Sequence, residues 1–147
     1  MKRILVVCVG NICRSPVAQG LLQARLPHSK VSSAGLAALV GQPADAMAAQ
    51  VARQHGIDIS DHRAQQLAGW MCTQADLVLV MEASHQHQLE QQYPLARGKI
   101  RRLGEFGAPG PFDVADPYQQ PLQAFERAHA AIAHGVEAWA SRIQQLA

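Results

Sequence analysis

Short apolar segments alternate with stretches of helical periodicity along this chain. Segments at 4–7, 30–33, 77–81 and 99–103 predict β-strands, and those at 4–7 and 77–81 are the most apolar. Helical patterns follow them from residue 15 and at 45–55, 64–70, 84–92 and 122–145. Glycine and proline mark 36–43 and 106–118 as loops.

Strands separated by helices predict an α/β fold. Parallel pairing with right-handed crossovers gives a doubly wound, central four-stranded parallel sheet flanked by helices. The last helix repeats large apolar side chains on one face, which is its expected packing side: Phe125, Ile132, Val136, Trp139 and Ile143. No linker or repeat interrupts the pattern, so we expect one domain over residues 1–147.

Helix ends carry recognisable signals. Ser15, followed by Pro16, is a candidate N-cap for the first long helix, and Ser84 is one for the helix at 84–92. Gly56 stands just past the helix at 45–55, and Pro94 ends the helix at 84–92.

The strand at 4–7 runs into CVGNICRS, which ends at a predicted helix start. Loop amides and the helix dipole would converge there on an anion. The same field favours the nucleophilic thiolate at Cys8, and the planar fork of Arg14 suits phosphate. Alone, Cys8 would read as a small buried hydrophobe and Arg14 as a surface residue. Gly10 and Asn11 tolerate the positive φ that such a loop requires.

This loop, at the very N-terminus, resembles that of the low-molecular-weight protein tyrosine phosphatases. The resemblance covers essentially the whole chain and includes Ser33-Ala34-Gly35, residues 77–81 and Asp116-Pro117-Tyr118. It implies hydrolysis of phosphotyrosine through a phosphocysteine intermediate, with Cys8, Arg14 and Asp116 as catalytic residues. Residues implied to contact phosphate or substrate are Val9, Gly10, Asn11, Ile12, Cys13, Ser15, Leu39 and Tyr118. Ser33, His62 and Asn11 are also implied to support the loop.

Asp116 is the predicted general acid. Expelling a phenol with a pKa of about 10 is easier when the leaving oxygen is protonated. Pro117 restricts the backbone before it and so limits where the carboxylate points. Asp113, three residues earlier, is the main rival, and the Asp-Pro-Tyr match favours Asp116.

The rim of the pocket suggests a substrate. Residues 36–40 lack an aromatic side chain, and Gln119 rather than a second tyrosine follows Tyr118. Both features resemble enzymes of Gram-negative bacteria that are encoded with capsule or exopolysaccharide machinery. The resemblance implies a phosphotyrosine protein as partner, specifically a tyrosine autokinase, and favours a monomer.

Three cysteines form no disulfide framework, which favours a reducing cytoplasm. Cys13 shares the loop with Cys8, and a reversible Cys8–Cys13 disulfide could protect the nucleophile from over-oxidation. A packing role for Cys13 is nearly as plausible, and Cys72 is expected in the core.

Composition excludes several other functions. A net charge of +2 with no long basic run gives no case for nucleic acid, and no segment reaches membrane-spanning length. His85 and His87 form no metal site with other ligands, and no cofactor is expected.

Other protein families with a similar loop fit the sequence less well. The protein arginine phosphatases have a threonine at the position that Ile12 occupies here. Thiol-dependent arsenate reductases need a downstream cysteine pair. Phosphocysteine carriers lack the loop arginine and the acid, and a phosphotyrosine-binding module would need neither Cys8 nor Asp116.

Overall fold

Four parallel strands form the central sheet of the computed structural model, which describes residues 1–146. They are β1 (Arg3–Cys8), β2 (Lys30–Gly35), β3 (Leu77–Val80) and β4 (Ile100–Arg102), in the order β2-β1-β3-β4. Each neighbouring pair is parallel. The predicted fold class is confirmed, and Ala147, the last residue of the predicted domain, lies outside the described residues.

Helices cover both faces of this sheet. They are α1 (Arg14–Arg25), α2 (Ala46–Gln54), α3 (Gly69–Gln74), α4 (Ala83–Gln92) and α5 (Leu122–Gln145), with a 3₁₀-helix at Pro94–Lys99. The side chains of β1 alternate between two cores because successive residues of a strand point to opposite faces. Ile4 and Val6 pack with residues of α1, α2 and α5, whereas Leu5 and Val7 pack with residues of α3, α4 and the 3₁₀-helix.

The helix predicted at 64–70 is wrong. Its residues run extended beside the end of β2, where Gly35 pairs with Gln66 in a parallel bridge. The amide of Gly35 donates to the Gln65 carbonyl, and the Leu67 amide donates to the Gly35 carbonyl. The pairing with β2 therefore overrides the helical spacing of Ala64 and Leu67, and α3 begins only at Gly69.

Two predicted serine caps are also wrong. Helix α1 begins at Arg14, with Cys13 as the N-cap residue, so Ser15 lies inside the first turn. Helix α4 begins at Ala83, whose amide donates to the distant Asp113 carboxylate at 3.0 Å. The predicted signal at the C-terminus of α2 is confirmed, since Gly56 follows it with a φ of 80°. The Asp45 carboxylate, which was not a predicted cap, caps the N-terminus of α2.

The carboxyl ends of β1 and β3 bring distant segments together. Residues 9–13 follow β1, Glu82 follows β3, and the loop 103–121 returns across this edge, where the Val114 amide donates to the Met81 carbonyl. In parallel sheets ligands bind at this edge. Within residues 1–146, no helix combines the length and apolarity needed to cross a bilayer.

Candidate active site

The loop between β1 and α1 turns at Asn11, which has a φ of 59° and is fully buried. This left-handed conformation was predicted for Asn11 and is confirmed. For Gly10 the same expectation is wrong, because its φ is not positive and an added Cβ would make only ordinary contacts with Ile12 and Leu39.

Cys8 ends β1 with its sulfur facing the start of α1. The Ser15 Oγ lies 2.9 Å from the Cys8 Sγ. Asn11 Nδ2 donates to the same Ser15 oxygen at 2.7 Å, so the serine can direct its own hydrogen to the sulfur. Because the Ser15 hydroxyl contacts the Cys8 sulfur, it does not cap α1.

Asn11 connects the loop to its surroundings through both ends of its amide. Its Oδ1 accepts from the Gln65 backbone amide at 2.9 Å, which fixes Nδ2 as the donor side. That nitrogen donates to Ser33 Oγ at 3.0 Å, and the Ser33 hydroxyl in turn donates to Gln19 at 2.6 Å. The carbonyl of Asn11 accepts from His62 Nε2 at 2.6 Å, and burial lowers the His62 pKa. Ser33 and His62 therefore both hold the loop through Asn11.

Arg14 is held by one edge of its guanidinium. Nη1 donates to Glu82 Oε2 at 2.6 Å and to the Val114 carbonyl at 2.8 Å. The side chain is only 2% exposed, so these contacts leave it one conformation. Nε and Nη2 remain on the other edge for a planar, bidentate contact with an anion.

Sequence analysis missed Glu82. The residue directly follows the buried strand β3, which lies beside β1, and this position alone would have placed it near the loop. Its carboxylate pairs with Arg14, and its Oε2 lies 3.7 Å from Nε2 of the buried His85.

A cavity of about 200 Å³ opens above the loop. Its lining includes Asp116 and Tyr118 from the loop 103–121, and Ala37 and Leu39 from the loop after β2. The remaining lining residues belong to the loop: Cys8, Val9, Gly10, Ile12, Cys13 and Arg14. Asn11 and Ser15 are fully buried and lie outside this lining. A second cavity of about 260 Å³, lined by Arg3, Lys30 and Trp70, contains none of the predicted site residues.

The two candidate acids lie in different surroundings. Asp116 Oδ2 lies 3.7 Å from Arg14 Nη2, and its Oδ1 accepts from the Tyr118 amide at 3.1 Å. Asp113 is turned toward Arg102, with which it pairs at 2.8 Å, and toward the α4 N-terminus. Burial alone would raise the Asp113 pKa, but these two hydrogen bonds lower it overall. The geometry favours Asp116.

All three cysteines are buried and free. Burial, followed by the charges of Asp45 and Asp116, raises the pKa of the Cys13 thiol, and burial also raises that of Cys72. Cys13 lies in the large core on the α1 side of the sheet while also lining the cavity. Its predicted disulfide with Cys8 remains a prediction.

Among residues 1–146, no group of three or more histidine, cysteine or acidic side chains is arranged to hold a metal ion.

Gly35 supports the loop from the neighbouring strand. It pairs with Cys8 in the β1–β2 register, and an added Cβ would lie 2.5 Å from the Val9 carbonyl oxygen. A side chain at this position would push the loop out of place.

Comparison with known proteins gives a consistent result. The family described as low molecular weight phosphotyrosine protein phosphatase matches residues 3–147. A probable low molecular weight protein-tyrosine-phosphatase, EpsP of Ralstonia nicotianae, is 51% identical over 146 residues, which is 99% of each chain. Vibrio vulnificus Wzb, solved in complex with benzylphosphonate, superposes with a TM-score of 0.91 at 46% identity, covering 96% of this chain and 98% of the other. The YwlE arginine phosphatase from Geobacillus stearothermophilus has a TM-score of 0.91 at 34% identity, covering 99% and 94%.

Proposed function

The chain belongs to the low molecular weight phosphotyrosine protein phosphatase family and is a protein-tyrosine-phosphatase, and on that premise we propose that it works through a phosphocysteine intermediate on Cys8. One observation carries this proposal. The Cys8 sulfur lies 2.9 Å from the Ser15 hydroxyl, beside a cavity that Arg14 and Asp116 also line.

In the first step the phosphate of the substrate lies against the loop and the free edge of Arg14. The Cys8 thiolate attacks phosphorus opposite the phenolic oxygen. As the P–O bond breaks, Asp116 gives its proton to the departing oxygen, so neutral phenol leaves. Arg14 and the loop amides stabilise the charge on the three equatorial oxygens.

In the second step a water molecule attacks the phosphocysteine. Asp116, now a carboxylate, takes a proton from this water and returns to its starting form. The P–S bond breaks and inorganic phosphate is released. The hydrogen bond from Ser15 stabilises the Cys8 thiolate as it leaves, because a charged acceptor makes a stronger hydrogen bond.

A phosphate ester of an aromatic ring fits the cavity walls. Tyr118 offers a face on which a ring can stack, and Leu39 adds an apolar side chain to the same lining. Benzylphosphonate, found in Vibrio vulnificus Wzb, combines a ring with a tetrahedral phosphonate, and we expect it to inhibit this enzyme competitively.

Phosphoarginine is the second candidate substrate, since the arginine phosphatase YwlE shares the fold at lower identity. Ile12 argues against it. Its side chain lines the cavity and has no polar atom to bind a guanidinium. Parallel assays of phosphotyrosine and phosphoarginine will separate the two, and faster turnover of phosphoarginine would reverse the assignment.

For the physiological substrate we propose a bacterial tyrosine autokinase that takes part in exopolysaccharide production, with the enzyme acting in the cytoplasm. The support is the aliphatic rim around Leu39, which resembles that of Gram-negative enzymes encoded with such machinery. Loss of phosphotyrosine from the autokinase in a purified mixture would test this partner.

Hydrolysis of para-nitrophenyl phosphate tests the mechanism. We expect turnover that is unaffected by a chelator, abolished by Cys8→Ser and retained by Cys72→Ser. Rapid denaturation during turnover should trap phosphate on Cys8 in an acid-stable form of the wild-type protein. Turnover that survives Cys8→Ser would refute the proposed nucleophile.

A further inference from the structure

Two segments that border the catalytic cavity, 36–45 and 113–121, carry only acidic charges, whereas Arg63 lies next to Ala64, which is hydrogen-bonded to Gly41 and Gln42. Residues 36–45 contain one charged side chain, Asp45, and residues 113–121 contain two, Asp113 and Asp116. Neither segment contains lysine or arginine. The lining itself contributes one cation, Arg14, which is 2% exposed and lies within the site.

Asp45 carries the least compensated of these charges. The Asp113 carboxylate is paired with Arg102, and Asp116 is engaged in the proposed chemistry. Asp45 makes no ion pair with any residue from 1 to 146, and its side chain accepts only from the backbone amides of Met47 and Ala48. The dipole of α2 offsets at most about half of its charge.

Asp45 is also close to the loop. Its backbone amide donates to the Ile12 carbonyl at 2.8 Å, which fixes the start of α2 against the phosphate loop. Its negative charge raises the pKa of the Cys13 thiol and is the second cause of that shift, burial being the larger one. Exposed apolar side chains occur in the two bordering segments and just after Asp45: Val40, Tyr118 and Met47 are 68%, 41% and 40% exposed.

We propose that the mouth of the catalytic cavity selects phosphotyrosine segments whose neighbouring residues are basic or uncharged over segments whose neighbours are acidic, and that Asp45 is a main determinant of this preference. The inference rests on the proposed function, because it concerns residues on either side of the phosphotyrosine that this site hydrolyses. The phosphate itself binds deeper, at Arg14 and the loop amides, so the rim carboxylates act mainly on the flanking residues.

Two phosphotyrosine peptides test the proposal, identical except that arginine or glutamate occupies the positions on both sides of the phosphotyrosine. We expect kcat/KM to favour the arginine peptide by roughly fivefold at about 0.01 M salt and by almost nothing at about 1 M, where the screening length falls to about 3 Å. Equal rates at low salt, or a preference for the glutamate peptide, would overturn the proposal.

Asp45→Asn isolates the charge because asparagine is as good an N-cap as aspartate. We expect the ratio between the peptides to fall to roughly twofold, while turnover of para-nitrophenyl phosphate stays within about twofold of the wild type. Asp58→Asn is the matched control, since the Asp58 carboxylate also accepts from a backbone amide, that of Ser60, but Asp58 lines a separate cavity with Gln19 and Gln23.

The proposed phosphatase mechanism and the proposed charge preference can be refuted separately. Loss of para-nitrophenyl phosphate turnover in the wild type would refute the proposed function. Normal turnover with a low-salt ratio that Asp45→Asn leaves unchanged would refute the role of Asp45. If the asparagine variant does not fold, the salt dependence of the wild-type ratio still decides whether the mouth selects by charge.

Discussion

The Ser15 hydroxyl lies 2.9 Å from the Cys8 sulfur, and it is aimed there by Asn11. Because Asn11 donates to the serine oxygen, the serine hydrogen is available to the sulfur. A hydrogen bond to sulfur should matter most when the thiolate is expelled from phosphocysteine. The consequences of this pair can be measured step by step.

We expect Ser15→Ala to slow breakdown of phosphocysteine more than its formation. Removing one such donor lowers the rate by about 10²-fold in comparable sites. Rapid mixing with para-nitrophenyl phosphate should then give a burst of nitrophenol followed by slow turnover. Ser84→Ala, on the exposed side of α4, is the control. A uniform loss in both steps would argue against a leaving-group role for Ser15.

Asp116→Ala should lower kcat by about 10²- to 10⁴-fold for esters of poorly acidic phenols. The loss should shrink as the phenol becomes more acidic, because a good leaving group needs less protonation. Asp113→Asn should show no such dependence, since that carboxylate binds Arg102 and the Ala83 amide. A loss from Asp116→Ala that is the same for all phenols would exclude it as the general acid.

Glu82→Gln tests the hold on Arg14. The glutamine keeps the shape but loses the charge of the 2.6 Å ion pair, so we expect kcat/KM to fall by about tenfold or more through misplaced phosphate contacts. Glu126→Gln, on the exposed surface of α5, should leave it unchanged. A change in thermal stability without a change in kcat/KM or in inhibition by inorganic phosphate would mean that Glu82 is purely structural.

Two buried histidines, His85 and His129, and the partly buried His62 make stability dependent on pH. Desolvation is the main cause that lowers the pKa of all three below the usual 6.5. The unfolded chain therefore binds more protons than the folded chain just below pH 6.5, and stability must fall as pH decreases through this region.

Thermal unfolding followed between pH 8 and pH 5 will check this. His129→Gln should flatten the decline, with Tm recovering by about 3 °C at the acid end relative to neutral pH. His87→Gln is the matched control, because the His87 side chain is 85% exposed. A decline that neither variant changes would place its origin in other groups.

Mild peroxide should convert Cys8 to its sulfenic acid, and attack by Cys13 would then release water and form the disulfide. The raised pKa of Cys13 disfavours its thiolate, so we expect disulfide formation to be slow at neutral pH and faster as pH rises. Mass spectrometry of the wild type and Cys13→Ser will follow it. Only sulfinic or sulfonic acid at Cys8 in both proteins would rule the disulfide out.

The features of the fold that depend on residues close together in the chain could be predicted from the sequence. The apolar strands, the glycine after α2 and the long α5 all follow from side chains within a few residues. The phosphate loop was predictable for the same reason, since its nucleophile, turn and arginine lie within eight consecutive residues.

Contacts between distant segments decided the rest. Residues 64–67 became extended because Gly35 offered backbone partners. Asp113 replaced Ser84 at the start of α4, from 30 residues away. The pairing of Glu82 with Arg14 spans 68 residues and depends on β1 and β3 being neighbours. Spacing along the chain identifies neither Gly35 nor Asp113 as a partner, and it places Glu82 near the loop without pairing it with Arg14.

Because Gly35 lies so close to Val9, position 35 tolerates substitution far less than the rim loop that follows it. One methyl group at position 35 would collide with the Val9 carbonyl at 2.5 Å and disturb the nucleophile from another strand. The rim loop that begins one residue later has no such collision at Val40, whose side chain is 68% exposed. During evolution, substitutions in the rim loop could therefore alter the choice of substrate while Gly35 and the phosphate loop keep the same chemistry.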